Sequence, residues 1–406
     1  MAPVALTVAH EKRAIPVRLG MPLAGIVSRR GRFAESVRDP VSVQVLDLRA
    51  GERRLTLALA DLLVIPTPLH REVARLAAVP EDELVLAATH THSSLGGYWD
   101  LGQRGELLMG SYRPQLAALV AGTLADAVRA ARGRTGEPCT VTAAGAEVTG
   151  ASLNRRETNG PVDPELVLAR FTPATGTPID LVCFGAHPAL VVREDAEAVS
   201  ADYPGALRRR LADRGVRGLF LQGAVAGLDP AGTVASMAER LEAAWAEATS
   251  RLEPVAFDVL EVERRAVPMP AISCRVMPPA MPASGVLEPL LWPVRRYLLG
   301  MGRDALPPGA TLPLPLLRLG ALGFLFTPCD LGVGLALDLK QALRARGLRH
   351  AATVSHANGY FGYVHRRADY ERAPDSGHRF IALYENAMSL GGWDLGEELL
   401  RRFTSR

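Results

Sequence analysis

Apolar and polar residues alternate along much of the chain with the two-residue period that is typical of β-strands. Residues 41–48 show this alternation, residues 49–52 have the composition of a turn, and residues 55–60 alternate again, which predicts a β-hairpin. Apolar residues with helical spacing then occupy residues 69–78 and 114–132. The first third of the chain is therefore predicted to contain both strands and helices.

The same mixture continues to residue 345. Short apolar runs predict strands and longer runs with helical spacing predict helices, with strands at residues 84–88, 166–171, 179–184, 218–222 and 316–326, and helices at residues 204–214, 234–252 and 331–345. Because strands and helices alternate, the predicted fold class is α/β, with layered mixed β-sheets flanked by helices. We expect residues 1–406 to form a single domain.

Residues 267–315 interrupt this order, because prolines recur there and the periodicity fades. We interpret the segment as a proline-rich loop or lid rather than as a linker between domains. Its large apolar residues either wall a pocket for an acyl chain or pack in an ordinary core, and the sequence leaves both open: Met269, Met277, Met281, Leu290, Leu291 and Trp292.

The composition is that of a globular protein, with 48% hydrophobic residues, 22% charged residues and a net charge of +3. The arginines are spread along the chain, so no basic patch indicates a nucleic-acid partner. The 4 cysteines are widely spaced, which indicates reduced thiols rather than disulfides or a thiolate metal site. No apolar run reaches the ~18 residues of a membrane span, and the charged residues near His10 do not fit a secretory signal. We expect a cytoplasmic protein, and the oligomeric state stays open.

Two histidines separated by one residue follow the predicted strand at residues 84–88. In an extended backbone, His90 and His92 lie on the same face of the strand. Such a pair can form part of a metal site or an acid–base site. It can equally be two solvated histidines at the edge of a sheet, and the pair alone does not decide between these interpretations.

Two further potential ligands also follow predicted strands. His187 comes after the strand at residues 179–184, and Asp330 comes after the apolar run at residues 316–326. Zinc prefers imidazole nitrogens and carboxylate oxygens that converge from separate elements. The alternatives are a hydrogen-bonded structural histidine for His187 and a helix N-cap for Asp330.

Several short motifs occur in order along the chain: GMPLAG at 20–25, THTHS at 89–93, LNRR at 153–156, HP at 187–188, SADYPG at 200–205, QG at 222–223, NGYFGY at 358–363 and YE at 384–385. In this order they resemble the catalytic domain of the neutral, non-lysosomal ceramidases. The resemblance extends from about residue 20 to about residue 385. The THTHS block, with the Gly-Gly-Tyr sequence that follows it, is its most specific part.

The resemblance implies a zinc-dependent hydrolase that cleaves an N-acyl amide bond, lipid or ceramide-like, by metal-activated water. It implies that the zinc ligands are His90, His187, Asp330 and Tyr360. It implies that His92 assists proton transfer and that Arg155 and Tyr370 face the substrate. Further substrate-binding positions are expected at Tyr363 and Gly25. The expected partner is a small amphipathic acyl amide.

The sequence departs from the ceramidase pattern at particular positions. Asp330 stands where the family has a glutamate, so one ligand is a methylene shorter. Asp229 stands where better-known members have a serine that they need. We expect Asp229 either to position water or substrate in catalysis or to hold the turn at residues 223–232 by bonding backbone amides. The chain also ends about where the ceramidases begin an immunoglobulin-like domain.

Three functional interpretations follow. The first is a zinc amidohydrolase that acts on a lipid N-acyl amide. The second keeps the zinc and the fold but acts on a soluble amide or ester, which the missing signal and missing accessory domain favour. The third is a non-catalytic paralogue that binds a ligand, which Asp229 and Asp330 make conceivable. A barrel-type amidohydrolase also begins with His-x-His, but it does not explain the Asn-x-Tyr motif that contains Tyr360.

Overall fold

The structure is a computed structural model that describes residues 5–25, 33–257, 259–281, 289, 291–305 and 309–404. Its strands are β1 Leu6–Ala14, β2 Ser36–Val37, β3 Ser42–Ala50, β4 Arg53–Ala60, β5 Leu84–Ala88, β6 Glu137–Glu147, β7 Ser152–Asn154, β8 Glu165–Pro173, β9 Ile179–Phe184, β10 Ala198–Val199, β11 Arg217–Gln222, β12 Leu228–Pro230, β13 Glu253–Pro254, β14 Glu261–Pro268, β15 Thr311–Leu319, β16 Leu322–Phe326, β17 Asp330–Leu331, β18 His350–Val354 and β19 Tyr363–Val364. Its α-helices are α1 Thr67–Ala77, α2 Gly102–Met109, α3 Pro114–Gly133, α4 Val191–Glu194, α5 Asp202–Asp213, α6 Val234–Ser250, α7 Trp292–Ala305, α8 Val333–Ala345, α9 Arg367–Glu371, α10 Arg379–Ala387 and α11 Leu395–Thr404.

Two mixed β-sheets form the centre of the fold. The larger sheet has the strand order β11-β9-β8-β6-β1-β3-β4-β5, with β13 paired to β6, and the smaller sheet has the order β14-β15-β16-β18. Most neighbouring pairs are antiparallel. The pairs β4–β5, β9–β11 and β16–β18 are parallel, and each joins strands that are separated by a helix in the chain. Strands of a parallel pair end at the same edge, and these ends carry the candidate site.

The two sheets pack face to face, and helices cover their outer faces. In β4, Leu57 and Leu59 belong to the core between the sheets, where Phe324 of the smaller sheet also lies. Ala58 and Ala60, which alternate with these leucines and point to the opposite face, belong to the core beneath α1 and α3. Helices α5 and α6 cover the other half of the larger sheet, and α8 and α11 cover the smaller sheet. Because both faces are buried, these strands are apolar at consecutive positions.

The predicted α/β class with layered mixed sheets is confirmed. The hairpin is β3–β4, and the strands predicted at residues 84–88 and 179–184 begin and end at those residues. The apolar run at residues 316–326 is two strands, because the chain turns at Gly320. The φ of Gly320 is +51°, and a Cβ there would lie 2.0 Å from the carbonyl oxygen of Ala256. That position requires glycine.

The interpretation of residues 267–315 as a loop or lid is wrong for much of the segment. The segment contains helix α7 and part of strands β14 and β15, which pair with each other in the smaller sheet. Residues 282–288, 290 and 306–308, including Leu290, lie outside the described residues. In the part of the chain that the structure describes, no helix combines the length and the apolar character needed to cross a bilayer. The single-domain assignment stays a prediction.

Candidate metal centre

The candidate site lies where four strand ends from both sheets converge. His90 follows β5, His187 follows β9, Asp330 follows β16, and His356 follows β18. Backbone hydrogen bonds from the segment after β18 join these ends: Ser355 N donates to Gln222 O (2.8 Å), Ala357 N to Thr327 O (3.0 Å) and Asn358 N to Leu86 O (2.9 Å). Polar side chains from distant parts of the sequence are thereby held together at the carboxyl ends of parallel strands, a common location for active sites.

His90 is buried, with 3% of its surface exposed. Its Nδ1 lies 2.8 Å from the carbonyl oxygen of Leu63. Because a carbonyl oxygen only accepts, Nδ1 carries the proton and Nε2 presents its lone pair to the site. This Nε2 is 3.3 Å from Oδ1 of Asp330 and 3.2 Å from Nε2 of His92. Burial lowers the pKa of His90 to about 3, so the ring is neutral and able to bind a metal ion.

His187 is arranged in the same way. Its Nδ1 donates to the carbonyl oxygens of Val225 (2.9 Å) and Leu228 (3.0 Å), so its Nε2 also presents a lone pair. Burial, followed by the nearby Arg155, lowers the pKa of His187 well below its ordinary value. In metal-binding histidines, the ring nitrogen that does not bind the ion commonly donates a hydrogen bond to a carbonyl oxygen, and this bond orients the ring.

Asp330 supplies a fully buried carboxylate. Its Oδ1 accepts a hydrogen bond from Nε2 of His356 at 3.0 Å, and its Oδ2 accepts one from the hydroxyl of Tyr360 at 2.5 Å. Burial alone would raise the pKa of Asp330, but His356 and His90 outweigh burial and the pKa is lowered. The carboxylate is therefore ionised. The N-cap of helix α8 is Gly332, so Asp330 does not serve as the cap.

The donor set fits a metal ion. Among the residues that the structure describes, two overlapping groups each have ligand atoms within 4.8 Å of one another, His90 with His92 and His187, and His90 with Asp330 and His356. Buried neutral imidazoles together with an ionised carboxylate are the ligands that zinc and other borderline divalent ions prefer. Of the predicted ligands, His187 shares the first group with His90, Asp330 shares the second with His90, and Tyr360 bonds Asp330, but neither group contains both His187 and Asp330. The buried His/Asp cluster is able to hold a metal ion.

A cavity of about 50 Å³ opens beside these groups. Its polar end is formed by His90, His92 and the hydroxyl-bearing rings of three tyrosines, Tyr360, Tyr363 and Tyr384. The remaining lining is mostly apolar: Leu63, Val64, Trp99, Leu101, Leu108, Met109, Met388 and Leu390. Met269, Met277, Met281 and Leu291, which the sequence left open as an acyl-chain wall, are absent from the described lining, and Leu290 and the side chain of Trp292 are outside the description. The cavity therefore presents an apolar wall to a ligand and polar groups to one end of it.

Gly25 and Tyr363 line the cavity, as the predicted substrate-binding role requires. A Cβ on Gly25 would lie 3.2 Å from Nδ1 of His92 and 3.1 Å from its carbonyl oxygen, and the φ of Gly25 is +129°. Both facts restrict the position to glycine. Gly25 therefore allows the chain to pass directly behind His92.

Arg155 reaches the site from the end of β7 and is held by a buried carboxylate. Its Nε and Nη2 bond to Oε1 of Glu385 at 2.8 Å and 2.6 Å. Its Nη2 also lies 3.5 Å from Nε2 of His187 and 3.4 Å from the hydroxyl of Tyr363. Burial alone would raise the pKa of Glu385, but Arg155, with His365 and Arg156, holds it well below its ordinary value. The pair is thus charged, and Glu385 holds the guanidinium beside His187 and Tyr363, although Arg155 is not part of the described cavity lining.

Two predicted catalytic residues lie elsewhere. Tyr370 is buried against Trp393, its hydroxyl accepts from the amide of His365 at 2.9 Å, and it does not line the described cavity. Tyr384 takes the cavity position instead. Asp229 lies outside the lining as well and pairs with Arg155 (3.3 Å) and Arg193. The catalytic role of Tyr370 stays a prediction, and the four tyrosines between residues 360 and 384 leave the motif register there weak.

His356 belongs to the site although no motif in the sequence pointed to it. His187 was selected because it follows a predicted strand. His356 is selected in the same way once residues 350–354 are recognised as a strand. Residues of the SADYPG and QG motifs, by contrast, are not in the metal groups and instead form hydrogen bonds with the turn before His187. Tyr203 donates to Ala186 O at 2.7 Å, and Gln222 donates to the same oxygen at 2.9 Å, which fixes the turn that carries His187.

Comparison with solved structures finds the same fold in neutral ceramidase from Pseudomonas aeruginosa. The TM-score is 0.74 at 18% sequence identity, and the match covers 99% of this chain and 76% of that chain. A structure of ceramidase complexed with C2 matches with a TM-score of 0.74, 18% identity and the same coverage. No family model matches the sequence, and no curated protein matches it either. The chain therefore has the neutral ceramidase fold, as the order of its motifs predicted.

Proposed function

We propose that this protein is a zinc-dependent amidohydrolase that cleaves an N-acyl amide with an apolar acyl group. One observation carries the proposal: beside an apolar cavity, the ligand atom of the neutral His90 lies within 4.8 Å of those of His92 and His187 in one group and of those of Asp330 and His356 in another. His90, His187 and Asp330 would hold the ion, with the hydroxyl of Tyr360 beside the carboxylate. A bound zinc ion supplies Lewis acidity, which activates water and polarises an amide carbonyl.

The chain's own residues supply the remaining chemistry. His92 lines the same cavity, and its Nε2 lies 3.2 Å from Nε2 of His90. In hydrolysis, His92 accepts a proton from the attacking water and delivers it to the leaving nitrogen as the C–N bond breaks. The products are a carboxylic acid and an amine. Arg155 and Tyr363 direct N–H and O–H donors at the side where negative charge develops on the carbonyl oxygen.

The apolar lining acts on the acyl group. Trp99, Leu101 and Leu390 bury a hydrocarbon chain and exclude water from the reacting carbonyl. The second candidate is the same zinc chemistry on a short-chain soluble amide or ester, which the small cavity of about 50 Å³ favours.

Metal analysis of purified protein tests the proposal. The wild-type protein should bind one zinc per chain, and His187→Ala should lose it, since a neutral Nε2 ligand is removed. His350→Gln is the matched control, because His350 begins strand β18 and lies outside the metal groups. Stoichiometric zinc in His187→Ala would overturn the ligand assignment. Wild-type protein that binds no zinc at micromolar concentration would overturn the proposed function.

Activity on amides of increasing acyl length separates the two candidate substrates. Turnover that rises from acetyl to long-chain amides supports a lipid amide. Turnover that falls as the acyl chain lengthens supports the short-chain candidate. A zinc-loaded protein that cleaves neither amides nor esters would contradict both.

A further inference from the structure

His356 is packed tightly into the candidate metal centre, although no sequence motif pointed to it. It is fully buried, and its ring stacks on that of His90 with 3.9 Å between centroids and 9° between planes. Its backbone is in the left-handed region, with a φ of +57°. A histidine there is uncommon and costs free energy, and such positions cluster at functional sites. The backbone is fixed by hydrogen bonds from Ala88 N to His356 O (3.1 Å) and from His356 N to Cys329 O (3.3 Å).

His356 could act in either of two ways. Its Nε2 lies within 4.8 Å of the ligand atoms of His90 and Asp330, so it could itself bind the ion. It also lies 3.0 Å from Oδ1 of Asp330, so it could donate a hydrogen bond that holds the carboxylate in place. The two roles require opposite protonation of the ring, and the surroundings of the second nitrogen, Nδ1, distinguish them.

Nδ1 of His356 is buried, and no group among the described residues forms a hydrogen bond with it. If Nε2 bound a metal ion, the proton of the neutral ring would lie on Nδ1, where this donor would stay unsatisfied. In His90 and His187, the corresponding Nδ1–H groups donate to Leu63 O and to Val225 O and Leu228 O. Metal-binding histidines almost always have such an acceptor, and among the described residues His356 has none.

We infer that His356 is a positioning residue for the carboxylate of Asp330 and not a ligand. Its Nε2–H donates to Oδ1 while the hydroxyl of Tyr360 donates to Oδ2, so both oxygens are held and the orientation of the carboxylate is fixed. Oδ1 still has a lone pair for the ion, and it already lies 3.3 Å from Nε2 of His90. This spacing is what two ligands at about 2.1 Å from one zinc ion would show. The inference rests on the proposed zinc site.

Zinc affinity of the apoprotein, measured by competition with a chromophoric chelator, tests this role. His356→Ala should still bind one zinc, with an affinity lower by about 10–100-fold, the usual effect of losing a partner of a metal ligand. His356→Gln should recover most of the affinity, because its amide nitrogen replaces the imidazole Nε2. His356→Asn is the matched control, since its amide nitrogen replaces Nδ1 rather than Nε2, and it should behave like His356→Ala.

The Co²⁺-substituted proteins provide a second measurement that is independent of activity. The visible absorption bands of wild type and His356→Ala should have the same intensity, because the ligands are unchanged. Loss of stoichiometric zinc in His356→Ala and His356→Gln, in variants whose far-UV circular dichroism is that of wild type, would make His356 a ligand. If His356→Ala binds zinc with the affinity of wild type, His356 has no role in the metal centre. If wild type itself binds no zinc, the proposed function fails first.

Discussion

The guanidinium of Arg155 and the imidazole of His187 meet at 3.5 Å although they come from different strands of the fold. The contact is directed, because Glu385 holds the opposite side of the guanidinium with bonds of 2.8 Å and 2.6 Å. Glu385 is completely buried and also accepts from the amide of Gly227 at 3.0 Å. A charged donor is thus fixed beside the candidate ligand.

Arg155→Lys should therefore lower turnover while leaving the zinc bound. Lysine keeps the charge but cannot bond Glu385 and reach His187 and Tyr363 at the same time. Loss of one fixed donor to a developing oxyanion lowers turnover by about 10²–10³-fold. Steady-state kinetics and zinc content on the same preparation measure both effects. Arg193→Lys, which changes the outer partner of Asp229, is the control and should retain full turnover. Loss of zinc in Arg155→Lys would show instead that Arg155 orders His187.

His92 is expected to act in catalysis and not as a required ligand. His92→Ala should keep one zinc per chain, and its turnover should fall by roughly 10²-fold or more, the usual effect of removing a general acid–base. Gly25→Ala should have a smaller effect in the same direction, because the added Cβ presses against the backbone and Nδ1 of His92. Zinc content and turnover are measured together. If His92→Ala loses metal and activity together, the centre uses His90, His92 and His187 as its ligand group.

The sequence predicted those parts of the fold in which local pattern and burial agree. Strand β9 was found because it is apolar at every position but one and is bounded by turn residues, and the histidine after it was found for the same reason. The helix α7 was missed because it lies among prolines that hid its spacing. The site was predicted less completely, since the meeting of His356 with Asp330 depends on the pairing of β16 with β18. No local pattern shows that pairing.

Stability should fall as the pH drops from about 6.5 towards 4, partly because of His10. Burial lowers the pKa of His10 to about 4, against a partial opposing effect of its hydrogen bond with Gln44. Between pH 6.5 and 4 the unfolded chain therefore binds a proton that the folded chain does not. The stabilisation is complete above the unfolded pKa and is lost as the pH falls through this window, at up to about 1.4 kcal/mol per pH unit.

Urea denaturation of wild type and His10→Gln at several pH values measures this contribution. The free energy of unfolding of the variant should depend less steeply on pH between about 6.5 and 4, and the difference between the two proteins should be constant above about pH 7. His70 and His350, whose pKa values burial also lowers, remain in both proteins and account for part of the remaining slope. Equal slopes for the two proteins would mean that His10 is protonated in the folded state.

Asp229 is expected to have a local structural role, because its carboxylate pairs with Arg155 (3.3 Å) and Arg193 (3.1 Å) and is outside the described cavity lining. Asp229→Asn keeps the shape and removes the charge. Arg155 remains bound to Glu385 in this variant, so its guanidinium stays beside His187. A partly exposed ion pair contributes about 1 kcal/mol or less, so turnover should change by no more than about fivefold.

Kinetics and zinc content of Asp229→Asn and Asp229→Ser test this role. Asp229→Ser should not create activity on ceramide, because a side chain outside the cavity does not reach the scissile carbonyl and does not reshape the apolar lining. If turnover instead falls by roughly a hundredfold or more in Asp229→Asn, with zinc and folding intact, the carboxylate takes part in the reaction. Arg193→Gln separates the two explanations further, because it removes the outer ion pair and leaves the carboxylate beside Arg155. Near-wild-type turnover in both Asp229→Asn and Arg193→Gln is the result expected if the pairs only hold β12 against β7.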